Sequence, residues 1–370
     1  MDFSLTEEQR ALAAVTSAFL AKACSMDKVR ALMDTDDNFD RAAWTRISHD
    51  LGVTGLSVSE AYGGSRETLL ELVVVAEEMG KRLYSGPFLS TSVAGLLVER
   101  FGSEEIRAQI LPGIAEGTRI ATVSHPAQEA ARPVATNASS GLIVTGDLGI
   151  VLDGHVADIV IAPALLDGVE VVVVIDLAGA VRDRLDGLDP TRNVAQLSVD
   201  GAPATVLGDA ASAGLILRTA RSLTAVLLAA EQVGVMQAVL DMSVDYAKMR
   251  HQFGRPIGSF QAIKHRCSDM FVALETSRSA TYYAAWVEQA VPDSFADAAV
   301  VARLVSCEQV ELSTASNLQI HGGIGFTWEH DAHLFVKRAK SSALLLGDWN
   351  QELDPLATRL LDGAGIGQGG

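Results

Sequence analysis

Between Leu215 and Met249 the chain runs for roughly 35 residues with no proline and one glycine. At 1.5 Å per residue that predicts a helix of about 50 Å. Its only charge between Ser222 and Leu240 is Glu231. A helix so long and so poor in charge belongs in the core of a bundle or at a subunit interface. Asp269 to Ala290 and Asp293 to Leu318 also have helical patterns, and they supply the neighbours such a bundle needs.

Residues 1–116 read as a helical domain. Thr6-Glu7-Glu8-Gln9 has the form of a capping box. Arg66 to Arg82 places Leu69, Leu72, Val73 and Ala76 on one face, and Leu111-Pro112-Gly113 falls near the domain's end. Residues 117–212 change character. β-Branched runs occur at Ile120 to Val123, Leu142 to Thr145, Ile159 to Ala162, Val169 to Ile175 and Leu197 to Val199. No helix-length segment separates them, so a small barrel or sandwich is expected rather than a doubly wound sheet. Residues 213–370 return to helix, and the glycine-rich stretch Gly363 to Gly370 reads as a disordered tail. The fold class is multidomain α+β: N-terminal helical domain, middle β-domain, C-terminal helical bundle.

With 370 residues, 48% of them hydrophobic, the chain can bury a large core in two or three domains. A net charge of −17 leaves no basic excess to neutralise phosphates, which argues against nucleic acid. Cys24, Cys267 and Cys307 are far apart and show no metal-ligand spacing, so free thiols in a reducing compartment are expected, and no metal. The N-terminus lacks the basic flank and apolar run of a signal peptide. The longest apolar runs, such as Val171 to Ile175, are too short to span a bilayer. A cytoplasmic location is the expectation.

Two segments carry chemistry. Arg250-His251-Gln252-Phe253-Gly254-Arg255-Pro256-Ile257 joins two helices. Alone it is either a connector with solvated arginines or an anion site, since a guanidinium offers a permanently charged fork suited to a pyrophosphate. Gln319-Ile320-His321-Gly322-Gly323-Ile324-Gly325-Phe326-Thr327 closes a helix. Its glycine pair is either a C-cap or bare backbone that a ligand can approach closely. Neither is a Rossmann fingerprint, because no strand precedes the glycines.

Taken in order, Arg-x-x-Phe-Gly-x-Pro-Ile-x-x-Phe-Gln, Gln-x-His-Gly-Gly-x-Gly-Phe-Thr and Lys-Arg-Ala-Lys resemble the acyl-CoA dehydrogenase family along nearly the whole chain. The resemblance implies a C-terminal four-helix bundle and subunits assembled as a dimer of dimers. FAD would lie between β-domain and bundle, with its ADP portion reaching a neighbouring subunit. It assigns Arg250 to the pyrophosphate, Phe253 and Gln261 to the cofactor, and Gln319, Gly322 and Gly323 to the adenosine diphosphate. Ser124 would keep a hydroxyl for the flavin ring. The implied reaction is α,β-dehydrogenation of an acyl-CoA thioester: a glutamate takes the α-proton, FAD takes the β-hydride, and an electron-transfer flavoprotein or similar acceptor follows.

The chain departs from that pattern at the base. Leu346 stands where most of the family carry the glutamate, and Thr224 stands at the alternative position on the first long bundle helix. Asp348, two residues on, is a weak catalytic candidate that also reads as a capping residue. Glu231 reads as a buried or interface hydrogen-bonding group. The family's Thr-Glu-Pro-x-Ala-Gly-Ser-Asp segment corresponds to Ser124-His125-Pro126-Ala127-Gln128-Glu129-Ala130-Ala131, so Ala130 replaces a serine that helps hold CoA. The Trp-Ile-Thr-Asn segment becomes Ile150-Val151-Leu152-Asp153. Two readings stay open. One is a self-sufficient dehydrogenase subunit. The other is a non-catalytic partner that completes the FAD site of a base-carrying subunit, as in heterotetrameric actinobacterial dehydrogenases acting on steroid thioesters.

Overall fold

The computed structural model describes residues 5–126, 130–139 and 141–363. The glycine-rich tail beyond Gly363 and Ala127-Gln128-Glu129 lie outside the described residues. Six α-helices come first: α1 Glu7–Ala23, α2 Met26–Met33, α3 Arg41–Leu51, α4 Leu69–Gly80, α5 Phe88–Phe101 and α6 Glu104–Ala115. The capping box at α1 is formed: Gln9 N–H donates to Thr6 Oγ1 at 3.1 Å, and Thr6 N–H donates to Gln9 Oε1 at 3.0 Å. The helix expected from Arg66 starts at Leu69, because Thr68 and Glu71 form a second capping box there.

Seven strands follow: β1 Ala121–Val123, β2 Val134–Ala138, β3 Gly141–Leu152, β4 Ile159–Leu166, β5 Val169–Asp176, β6 Val181–Arg184 and β7 Val194–Val206. The path β4-β2-β3-β7-β5 closes on itself through the β4–β5 pairing, so this region is a barrel, with β1 and β6 added at β4 and β7. β1 and β2 run parallel to β4, and the other pairs are antiparallel. The five β-branched runs all became strands. β2 and β6 were not foreseen, because residues such as Asn137, Arg182 and Asp183 break the apolar pattern. Along β3 the register with β7 slips at Val144/Gly146 and at Asp147/Gly149. These bulges leave Leu148 without a ladder partner and bend the strand beside the site described below.

The C-terminal part holds α7 Ala213–Met249, a tight hairpin of β8 His251–Gln252 and β9 Arg255–Pro256, then α8 Gln261–Ala290, α9 Phe295–His321, α10 Ala332–Leu344 and α11 Leu353–Gly363. Helix α8 begins eight residues before the expected Asp269. Nothing after Gly258 breaks the chain, so the polar run around His265 and Arg266 continues the helix with its side chains exposed. By length and composition α7 could cross a membrane, but 89% of its most apolar window is buried inside the protein. It packs against α4, α8 and α9. The crossing with α4 is backbone on backbone. A Cβ on Gly80 would lie 2.0 Å from the Glu231 carbonyl oxygen, and one on Gly234 would lie 2.0 Å from that of Glu77. Only glycine at both positions permits that approach.

Candidate functional site

Where α5, the barrel and the bundle meet there is a cavity of about 610 Å³. Its wall is mainly apolar, with Leu89 and Val93 from α5, Leu148 and Leu152 from β3, and Leu345 and Leu346 after α10. Thr224 and Leu346, the two residues that the family resemblance sets at the positions of a base, line this one cavity, and both are buried. The structure thus brings together two residues far apart in sequence, and neither can accept a proton as a carboxylate does. Ser124 lines the same wall. Its hydroxyl donates to the carbonyl of the bulged Leu148 at 2.7 Å, and so has only lone pairs left for another group.

Asp348 is not part of this wall. It is exposed and caps a short turn at Trp349–Glu352, where its Oδ1 accepts from Asn350 N–H at 3.0 Å. A general base for an α-carbon needs a desolvated carboxylate close to it. The one carboxylate on the wall among the described residues is Asp147, exposed and accepting from Gly149 N–H at 2.8 Å.

The polar residue that sequence reasoning passed over is His125, in the quoted Ser124-His125-Pro126 segment. Its Nε2 lies 3.0 Å from Thr224 Oγ1. Thr224 directs its hydroxyl proton to the Ala220 carbonyl at 2.8 Å, as threonine commonly does within a helix. Its oxygen therefore accepts from His125 Nε2–H, which leaves the lone pair on Nδ1. Burial, and then the Arg221 charge, push the His125 pKa down to about 4, so the ring is neutral at physiological pH.

Beneath the cavity lies a buried ionic network that sequence reasoning also missed, apart from Glu231. Arg338 donates through Nε to Asp189 at 2.7 Å and through Nη1 to Glu231 at 3.0 Å. Its Nη2 reaches the carbonyls of Thr191 at 2.7 Å and Leu83 at 3.3 Å. Arg192 forms a two-pronged pair with Glu231, one prong at 3.2 Å, and also donates to Ser342 at 2.7 Å. Burial alone would raise the Glu231 carboxyl, but Arg192 and Arg338 outweigh it and hold it below the usual range. Close by, Asp153 is buried with φ +56° and accepts from Ser90 Oγ at 2.6 Å. Burial pushes its carboxyl up to about 7.

Arg250, Phe253, Gln261, Gln319, Gly322 and Gly323 lie elsewhere, and all six are exposed. The end of α7 and the end of α9 are tied together by Ser243 Oγ donating to Asn317 Oδ1 at 2.8 Å and by Tyr246 stacked on His321 at 4.4 Å. Both motifs therefore occupy one end of the bundle. Among the described residues Arg250 has no ion pair, and Phe253 on its hairpin is 91% exposed. A Cβ on Gly322 or Gly323 would meet nothing within 4 Å. Met249, Phe326 and Trp328 add exposed apolar surface along these same segments. Thr224 and Arg250 are separated by 26 residues of α7, about 39 Å, which is further than one dinucleotide spans.

This geometry tests the fit of FAD. At the bundle end, an unpaired guanidinium, an open aromatic ring and bare glycine backbone fit a pyrophosphate and adenosine presented from outside this chain. At the cavity, an exposed Ile150 and the hydrocarbon side chain of Leu152 offer the ring neither an aromatic face nor a hydroxyl. The bundle-end residues have the chemistry of a pyrophosphate and adenosine site, while the cavity wall, among the described residues, has no Phe, Tyr or Trp and four of its hydroxyl protons are committed within the chain.

Comparison with known proteins agrees on the family. Residues 6–118 match the acyl-CoA dehydrogenase N-terminal domain, and residues 217–361 match the acyl-CoA dehydrogenase C-terminal domain. The acyl-CoA dehydrogenase IpdE2 of Mycolicibacterium smegmatis is 34% identical over 349 residues, covering 94% of this chain and 97% of that protein. A chain of the ChsE4-ChsE5 complex from Mycobacterium tuberculosis superposes with a TM-score of 0.88 at 27% identity, covering 97% of this chain and 99% of that one. A variant of the Tcur3481-Tcur3483 steroid ACAD gives 0.87 at 26% identity, with the same coverage. The helical layer, the barrel and the bundle follow one family pattern: this chain belongs to the acyl-CoA dehydrogenase family, oxidoreductases that act on CH–CH bonds.

Proposed function

We propose that this chain is the cofactor-completing subunit of a heteromeric acyl-CoA dehydrogenase. The observation that carries the reading is the separation just described. Residues suited to a neighbour's flavin dinucleotide are open at one end of α7, while the chain's own cavity has Thr224 and Leu346 where a base would stand. Arg250 would hold the pyrophosphate of a partner's FAD. Gln319, Gly322 and Gly323 would border its adenosine diphosphate, and Phe253 and Gln261 would flank it. FAD, when bound, supplies the hydride acceptor. The α-proton of the acyl-CoA thioester would go to a glutamate of the partner, with Asp348 acting as a turn cap and not as a base.

Several coarser features support this reading. Two of the similar structures are named as two-component proteins, one of them as a steroid ACAD. A steroid-derived or fatty acyl-CoA substrate, a dimer of dimers, an electron-transfer flavoprotein as acceptor and a cytoplasmic location complete the proposal. The three cysteines, all free, accord with that location.

The test is spectroscopic. Purified alone, the chain should be colourless; co-expressed with a dehydrogenase that carries the glutamate, the complex should be yellow and should bleach with acyl-CoA under anaerobic conditions. A chain that is yellow on its own and bleaches with an acyl-CoA overturns the reading.

A further inference from the structure

The cavity is the feature that the proposed function leaves without a task. At about 610 Å³ it is in the size range of small-molecule sites, which are apolar with a few placed polar groups. Its polar atoms are nearly all committed. Ser90 donates to Asp153, Thr122 to the Leu152 carbonyl at 2.6 Å, Ser124 to the Leu148 carbonyl, and Thr224 to the Ala220 carbonyl. Ser341, half-buried, is the one hydroxyl on the wall with no hydrogen bond among the described residues. Beside that hydroxyl there remains the Nδ1 lone pair of His125, an acceptor only, whose other nitrogen is fixed by Thr224. His125 is half-buried and this lone pair is open to water, so a ligand that displaces the water must bring a donor or leave the acceptor unmatched at a cost.

We propose that this cavity binds a compact, apolar, uncharged molecule bearing a hydroxyl, and that His125 selects for the hydroxyl by accepting its hydrogen bond at Nδ1. The inference rests on the reading that no flavin ring occupies this chain's own cavity. Thr224 is a positioning residue, since it fixes which imidazole nitrogen carries the proton. Burial keeps the ring neutral, so it offers a carboxylate no counter-charge. Arg221, whose charge acts on His125, and Asp147, the wall's carboxylate, are themselves occupied: Arg221 donates to the Leu346 carbonyl at 2.8 Å and pairs with Glu352, and Asp147 accepts from Gly149. An alcohol satisfies the site, a ketone of the same skeleton leaves Nδ1 unmatched, and a carboxylate sets lone pairs against lone pair.

The experiment uses the co-expressed complex and two probes with one carbon skeleton, 2-decalol and 2-decalone, measured by calorimetry. The alcohol should bind about fivefold more tightly than the ketone, the ratio expected for one hydrogen bond. His125→Phe should bring that ratio to one, and Thr224→Val should reduce it. In the wild-type complex, labelled at histidine with nitrogen-15, the Nδ1 resonance should be that of an unprotonated nitrogen and should shift with the alcohol and not with the ketone. That measurement decides the matter if His125→Phe does not fold. Equal affinity for the two probes, no binding of either, or a ratio untouched by His125→Phe overturns the proposal. Flavin bound by the chain purified alone would instead overturn the functional reading on which the proposal rests.

Discussion

Asp153 makes stability depend on pH in a direction opposite to that of an ion-paired acid such as Glu231. It follows β3, is 4% exposed, and its carboxyl is raised from 3.8 to about 7 by burial, against the opposing effects of Ser90 and Arg192. A raised acid favours its proton in the folded state. Below the unfolded pKa both states are protonated and there is no effect. Above it the unfolded chain ionises freely, while the folded chain either keeps the proton or buries a charge. The cost therefore grows as pH rises from about 4 and is complete above about 7. A shift of about three pH units corresponds to about 4 kcal/mol. Asp153→Asn removes the ionisation, keeps an acceptor for Ser90, and suits the left-handed backbone at φ +56°, which asparagine tolerates. The unfolding free energies of the two proteins, measured in parallel between about pH 5 and pH 8, should diverge with rising pH in favour of the Asp153→Asn variant by about 3 kcal/mol, the part of that cost that accrues above pH 5. Glu231 and the other titrating groups are common to both proteins and cancel to first order. A difference that stays flat across the range, or an Asp153→Asn protein that loses ground at high pH, would refute the reasoning.

Arg250→Ala should weaken FAD binding by the assembled complex about tenfold, the loss of one charge-assisted contact; unchanged occupancy on ultrafiltration would remove the pyrophosphate role. Asp348→Asn should leave turnover of the complex within about tenfold, roughly 1.4 kcal/mol in barrier; a loss of several thousandfold would make Asp348 the base. Gly234→Ala should destabilise the chain by about 3 kcal/mol or more, because its Cβ would sit 2.0 Å from the Glu77 carbonyl oxygen of α4. Gly323→Ala meets nothing within 4 Å, so thermal unfolding should be unchanged while FAD occupancy of the complex falls. Equal melting temperatures for wild type and Gly234→Ala would contradict the packing described for α4 and α7.

Much of the architecture was legible because its signals are local. A proline-free run of low charge could only be α7, and β-branched runs marked five of the strands. The two surface motifs were legible as ordered patterns, one anchored on arginine and glycine and the other on a glycine pair. What escaped notice was long-range. Arg192 and Arg338 lie 39 and 107 residues from Glu231, and no periodicity links them. His125 was visible as a letter in a degenerate segment, but its role depends on Thr224, 99 residues on and brought beside it by the packing of the bundle on the barrel. The ring-facing side of the site was legible only as loss. That a cavity rather than a filled core lies where α5, the barrel and the bundle meet is a property of packing that no local pattern encodes.

Arg338 has a consequence for how this molecule comes apart. One guanidinium contacts Leu83 before the barrel, Asp189 and Thr191 within it, and Glu231 in the bundle. The barrel and the bundle each hold part of this charge cluster and Leu83 adds a carbonyl acceptor, so no region alone completes it. A fragment comprising the barrel alone would expose the Asp189 carboxylate without its counter-charge, and one comprising the bundle alone would leave Arg338 short of acceptors. Limited proteolysis should accordingly yield either the whole chain or small peptides, with no stable intermediate fragment, and amide exchange near Leu83, Thr191 and Glu231 should be lost together in a single opening event.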